Sequence, residues 1–202
     1  MVIKRQGFTL SEILIVMAIM LVLASIAYPI LIRSKATAKE TVCIEKLRQI
    51  GLALAAYRSS ADGSDQPGDT VSMGFPNYMG PDEVASALGG SREAYFGLFD
   101  CAGGLTFPTG ATGPSGFFQL WPTSFGRVGG ITPEQQASWI IDVTKSGGAT
   151  VVMSDPNHQR NWPATDFTLQ FAFGLTLDGS IRKQTRRGDS SLRSWWQPDG
   201  QQ

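Results

Sequence analysis

Histidine and cysteine are the residues this 202-residue chain has least of: one histidine, His158, and two cysteines, Cys43 and Cys101. Zinc sites draw three or four nitrogen or sulfur ligands, so this shortage excludes most of them before any geometry is considered. Net charge is missing as well. Seventeen lysines and arginines balance seventeen aspartates and glutamates. No polybasic footprint follows from that balance, and nucleic acid is not favoured as a partner. Helix breakers, by contrast, are plentiful: 23 glycines and 11 prolines predict a loop-rich distal domain rather than a helical bundle. The chain is long enough for one ordinary domain plus an anchor.

What is present is concentrated at the N-terminus. From Ile13 to Ile32 nearly every residue is apolar, the interruptions being Ser25, the hydroxyl of Tyr28 and Pro29. As one helix, Phe8 to Ile32 spans about 37 Å at 1.5 Å per residue, against a hydrocarbon core of about 30 Å. Lys4 and Arg5 precede the run, and a carboxylate, Glu12, sits just inside it. A charge at the edge of a membrane helix is expensive and needs a reason. A cleaved secretory signal also begins with basic residues, and Ser25-Ile26-Ala27 offers a small-x-small cut site. The run, however, continues through Ile30-Leu31-Ile32 and carries a carboxylate that a signal core does not need. A retained anchor is the expectation. Flanking charge does not orient it, because Arg33, Lys35 and Lys39 follow the span as closely as Lys4 and Arg5 precede it.

The basic leader Met1 to Gly7, the Gly7-Phe8 junction, Thr9-Leu10, Glu12 and Pro29 together resemble the N-terminus of type IV pilins and type II secretion pseudopilins. That resemblance implies a cut after Gly7 by a membrane prepilin peptidase and N-methylation of the new terminal Phe8. It implies a role for Glu12 in filament assembly and a helix kink at Pro29. It places the leader in the cytoplasm, the helix in the bacterial inner membrane and the head on the periplasmic side. The partners implied are the peptidase and methyltransferase, copies of the chain and other pilin-like subunits, an inner-membrane assembly platform and membrane lipid. Ser11 departs from the pattern, which more often has an apolar residue or proline there, and leaves the cut undisturbed. The run Cys43-Ile44-Glu45-Lys46-Leu47-Arg48-Gln49-Ile50-Gly51-Leu52-Ala53-Leu54 is similar to a large pilin-like subgroup. So, more weakly, are Thr150 to Asp155 and Asp178-Gly179-Ser180-Ile181. In that subgroup a histidine precedes the aspartate-glycine turn, and His158 lies too far upstream of Asp178 to match.

Past Ile32 the helix is expected to continue as an amphipathic one. Cys43, Leu47, Ile50, Leu54 and Tyr57 form one apolar stripe, with the charged residues mostly elsewhere on the wheel. Breakers from Ser59 to Gly68 end it. Pro81 to Leu88, stopped by Gly89-Gly90, reads as a short helix, Ala102 to Gly116 as loop, and Phe117 to Trp121 as a strand. Thr132 caps another short helix whose first position is Pro133. Ala149 to Met153 is a further strand. Phe167 to Leu177 alternates with period two, its odd positions wholly apolar. Asp178-Gly179 then predicts a type I′ turn, and Ser180 to Arg187 a basic edge strand. The rest is a tail that is either disordered or packs Trp195-Trp196 on the sheet. The fold class is therefore α+β, a long N-terminal helix followed by a small loop-rich head with an antiparallel sheet. Its parts are a leader 1–7, a transmembrane half-helix 8–32, an amphipathic half 33–60, a head 61–187 and a tail 188–202.

Candidate chemistry in the head is thin. Ser180 and Lys183 have the S-x-x-K spacing of acyl enzymes but fall in a return strand, without companion motifs. Ser154, Asp155 and His158 are the residue types of a triad crowded into one loop, whereas triads assemble from separated elements. Asp62, Asp65 and Asp69 lack EF-hand spacing, and the resemblance would place a calcium loop nearer the C-terminus. The five tryptophans suit a core better than a sugar platform. No catalytic, cofactor or metal residue is assigned. Cys43 and Cys101 either bridge helix to head in an oxidising compartment, or Cys43 is simply a small apolar member of the stripe. The expected function is structural, a subunit processed by a prepilin peptidase and assembled into a pilus or pseudopilus. The alternative is a membrane-anchored binding module, for carbohydrate for instance, or an enzyme on the same anchor.

Overall fold

The computed structural model describes residues 10–99, 117–122, 130–155, 169–190 and 192–197. One helix, α1 (Leu10–Ser60), opens it. The chain falls into two compact units, Met1–Ala38 and Lys39–Gln202.

The first unit is the apolar half of α1, and its described side chains from Leu10 to Lys35 are all exposed. Pro29 lies inside the helix, where its missing N–H removes one backbone bond. The helix runs through it without interruption. Four residues earlier, the Ser25 hydroxyl donates to the Val22 carbonyl at 2.7 Å.

In the second unit the expected stripe is the core. Cys43, Leu47 and Ile50 have no exposed surface and Leu54 has 4%. Leu47, Ile50 and Leu54 share a cluster with Val152, Phe173 and Leu175 of the sheet. Gly51 lets helix and sheet close up, since a Cβ there would lie 2.8 Å from Leu175 Cδ1. The helix stops where expected. Asp62 takes a left-handed conformation (φ 51°), which short polar side chains tolerate, and the Gly63 N–H donates back to the Arg58 carbonyl at 2.8 Å.

Two predicted helices are present. In α2 (Pro81–Leu88), proline opens the first turn, the Glu83 carboxylate accepts from the Gly80 N–H at 2.9 Å, and Gly89 stops it at φ 78°. Then comes a turn of helix, α3 (Arg92–Tyr95). The helix from Thr132 is longer than a short one: α4 (Pro133–Ser146) runs 14 residues. Its cap is reciprocal, with the Gln135 N–H donating to Thr132 Oγ1 and the Thr132 N–H to Gln135 Oε1. Trp139 on its inner face is fully buried, edge-on to Phe75.

The sheet is an antiparallel meander of β1 (Phe118–Gln119), β2 (Val151–Asp155), β3 (Leu169–Thr176) and β4 (Ile181–Arg187), in that order. The aromatic strand expected over Phe117 to Trp121 is thus only two residues long. The stretch 102–116, with Phe167 and Thr168, lies outside the described residues. On β3, Phe173 and Leu175 face α1 as the alternation predicts, while Leu169 is 70% exposed. The opposite face is covered too. Gln170, Ala172 and Thr176 are buried there, because α5 (Arg193–Trp196) lays both indoles against it with Leu120 and Val151. Of the two alternatives for the tail, Trp195 and Trp196 take the packed one. Small residues at Ala172 and Gly174 leave the room: a Cβ on Gly174 would sit 2.9 Å from the Trp196 ring and 2.7 Å from Val151 Cγ1.

The turn between β3 and β4 corrects the type I′ expectation. Gly179 is left-handed (φ 83°) but Asp178 is not. The Gly179 N–H donates to the Thr176 carbonyl and the Thr176 N–H to the Ser180 carbonyl, both at 2.9 Å. That is a three-residue loop, a type I turn followed by a left-handed glycine. Asp178 Oδ1 holds it, accepting from Thr176 Oγ1 at 2.6 Å and the Ser180 N–H at 3.0 Å.

Gly174→Val should therefore destabilise the head by about 1–3 kcal/mol, the usual cost of overpacking. Gly97→Ala, which meets nothing within 4 Å, should be neutral. Thermal melts of the full chain in detergent, followed by tryptophan fluorescence, compare the two.

Candidate functional site

The N-terminal end of α1 is the first candidate. Gly7 and Phe8 lie outside the described residues. Glu12 falls in the first turn of α1. The first N–H groups of any helix lack intrahelical partners and carry the positive end of its dipole, so a carboxylate is stabilised there. Beyond Glu12 the surface is apolar on every side. An 18-residue window reaches a mean hydropathy of 2.7 with none of it buried. Ile13, Leu14, Ile19, Leu23, Ile30 and Ile32 are each more than half exposed. Apolar surface of this extent is not left in water. By length and composition this helix is able to cross a membrane.

Further along α1, Cys43 is wholly buried and carries no free thiol. Cys101 lies outside the described residues.

In the head, the described sequence candidates each have a place in the local structure. Ser180 sits in the hairpin loop, its hydroxyl 2.7 Å from Thr176 Oγ1. Lys183 is on β4, its ammonium over the Phe171 and Phe173 rings and 3.3 Å from Glu40. Ser154 and Asp155 are buried at the end of β2, and His158 lies outside the described residues. Two of the three aspartates after α1 have local work. Asp65 pairs with Arg58 at 2.9 Å, and Asp69 accepts from the Ser72 N–H at 2.7 Å. That bond holds the Asp69 carboxyl below its ordinary range. Asp62 is exposed. Among the described residues, no three metal-ligating side chains converge. Trp121, Trp139, Trp195 and Trp196 are at most 4% exposed and present no platform to a sugar; Trp162 lies outside the described residues.

Two polar centres escape sequence reading. Arg58 is 8% exposed, one turn past Leu54 on the apolar stripe. Its guanidinium donates to the Met73 and Ser64 carbonyls and to Asp65, and it lies over the Phe75 ring. Its signal was faint: it sits four residues past Leu54, beside Tyr57, which already takes the next place on the stripe. The second is buried Asp142 on α4, paired with Arg193 at 2.8 Å and accepting from Gln197 Nε2 at 2.6 Å. It fastens the C-terminal segment to α4, and nothing local in the sequence announces a partner 51 positions away.

A cleft of about 610 Å³ opens beside Arg58, lined by Ala55, Asp65, Val143, Gly148, Leu177 and Asp178. Its ionised groups are already engaged, Arg58 with Asp65 and Asp178 with its own turn. No nucleophile and base meet there. The Thr176 hydroxyl, then the Ser180 N–H, hold the Asp178 carboxyl below its ordinary value of 3.8.

Comparison with known proteins finds a match at the N-terminus. The family described as the prokaryotic N-terminal methylation motif matches residues 3–28. No curated protein and no solved structure matches the chain.

Because the folded Asp178 carboxyl titrates below its unfolded value, it adds stability above about pH 4 that is lost as pH falls through the lower folded value. Asp178→Asn should lower the melting temperature at pH 7 and make its decline between pH 4 and 2.5 shallower. Melts of both proteins across that range read the difference.

Proposed function

We infer that this chain, which carries the methylation motif that is the hallmark of type IV pilins and pseudopilins, is a structural subunit of a pilus or pseudopilus. The observation that carries the reading is a coincidence in position. The matched residues 3–28 overlie the stretch of α1 whose apolar surface is exposed on all sides. In this reading a prepilin peptidase removes Met1 to Gly7 and Phe8 is N-methylated. The helix stays in the inner membrane, with the head on the periplasmic side, until an assembly platform draws the subunit into a filament. Chemistry is done to this protein rather than by it. Its partners are the processing enzyme, copies of itself and other pilin-like subunits, and membrane lipid. Lipid and neighbouring helices take turns covering the apolar half of α1, so that surface never meets water.

Glu12 supplies register. The cut frees a cationic amine on Phe8, and methylation keeps its charge. In a bundle of apolar helices, an unpaired carboxylate costs several kcal/mol. Each arriving subunit is accepted when its terminal amine meets the Glu12 of a neighbour, which sets its axial position.

Cys43 and Cys101 form a bridge from α1 to the head in the same reading. Cys43 has no free thiol, and the chain has one other cysteine. Closing that loop is worth about 4 kcal/mol by chain entropy. Protein purified without reductant should titrate with no free thiols in denaturant, against two if the cysteines are unpaired.

Glu12→Leu tests the assembly reading. The variant should insert at least as well as wild type, because a charge has left the span. Intact mass should show both proteins cut before Phe8 and carrying one methyl group. Wild type should then appear in sheared filaments and Glu12→Leu should not. Loss of residues through Ala27 instead would mark a secreted protein.

A further inference from the structure

Part of the head's charge is sorted by sign along the chain, and the fold carries Asp62 and the Arg187 end of β4 toward opposite ends of the head half of α1, residues 39–60. Residues 59–91 contain five acidic residues and no lysine or arginine. Residues 180–194 contain five basic residues and a single aspartate. The three acidic residues nearest α1, Asp62, Asp65 and Asp69, follow its C-terminal end, where Asp65 is tied to Arg58. The basic strand β4 runs the other way. Its first residue, Ile181, pairs with Leu175, which lies against Gly51 of α1. Lys183 then reaches Glu40. From Glu40 to Arg58 the helix rises about 27 Å, and Arg187 lies a further 13 Å or so along β4 beyond Lys183. Lys39 and Arg187, both exposed, therefore mark one end of the head, and Asp62, also exposed, marks the other. None of these three has an ion-pair partner among the described residues.

We propose that the basic end of one head, centred on Arg187 with Lys39, docks on the acidic end of another copy, centred on Asp62. The two surfaces are different patches of the same molecule, so the contact is heterologous. It repeats along one direction instead of closing a dimer. A second copy suits the basic end better than an unrelated partner. The chain is neutral as a whole, and its own acidic surplus sits where stacking along α1 would present it. Opposed potentials of this kind steer encounter and reject wrong orientations more than they add affinity. Two heads stacked the other way up would place like charges together.

The inference rests on the filament reading, and a charge-swap cycle in the cells that make the protein separates the two. Arg187→Glu and Asp62→Lys should each cut the yield of sheared filaments about tenfold, on the scale of like-charge juxtaposition. The double variant should recover to within about threefold of wild type, because the reversed pair attracts again. Arg187→Gln and Asp62→Asn, which remove charge without reversing it, should give intermediate yields. Melting temperatures within a few degrees of wild type show that all five variants are folded. Normal assembly of either reversal, or a double variant no better than the singles, overturns the contact while wild-type filaments uphold the subunit reading. A loss with Arg187→Glu that Asp62→Lys neither shares nor rescues also overturns it, and assigns the basic end to anionic lipid headgroups. Absence of wild-type filaments overturns both.

Discussion

Burial of one stripe of α1 holds the head together. Cys43, Leu47, Ile50 and Leu54 give up their surface to the sheet and to the chain that loops over them, and each neighbouring element is set by that contact. The helix approaches closely enough because Gly51 presents no side chain to Leu175. Phe173 and Leu175 then fix the register of β3, since a slip of one residue would turn both rings and branches away from the helix. With β3 fixed, β2 and β4 follow as its antiparallel neighbours. The same helix continues into a half whose described side chains, from Leu10 to Lys35, are exposed. Half of α1 is thus a core element of this protein, and half awaits a surface from elsewhere.

That division explains why the head shows so little chemistry. Two of its buried charges are held within the fold: Arg58 by Asp65 and two carbonyls, Asp142 by Arg193 and Gln197. A buried charge whose partner is removed is costly, which makes these pairs structural fasteners rather than idle catalytic groups. One closes the end of α1 over the following loop. The other pins the C-terminal segment, whose indoles seal the far face of the sheet. Among the described residues, Lys39, Arg187 and Asp62 are exposed charges without an ion-pair partner, and there they bear on association.

Local pattern in the sequence was sufficient for the elements whose physics is local. The apolar run and its carboxylate, the stripe over Cys43 to Leu54, the Thr132-Pro133 and Pro81 helix starts and the alternation around Phe173 all followed from period, capping and breakers. The methylation motif was legible because it is a contiguous string at fixed spacing. What the sequence did not determine depends on partners far along the chain. Period two on β3 is the same whether water or an indole covers Gln170, Ala172 and Gly174, so the second core under Trp195 and Trp196 was an open alternative until the fold placed α5. The turn at Asp178-Gly179 looked like type I′ by composition, and it is a three-residue loop instead, held by the bonds that Asp178 Oδ1 accepts from the Thr176 hydroxyl and the Ser180 N–H. The partners of Arg58 and Asp142 were not legible, because burial and pairing are properties of the folded chain. The sign and number of charges are in the sequence; the separation of Arg187 from Asp62 along the head half of α1 exists only once β4 lies antiparallel to β3 and runs back toward Glu40.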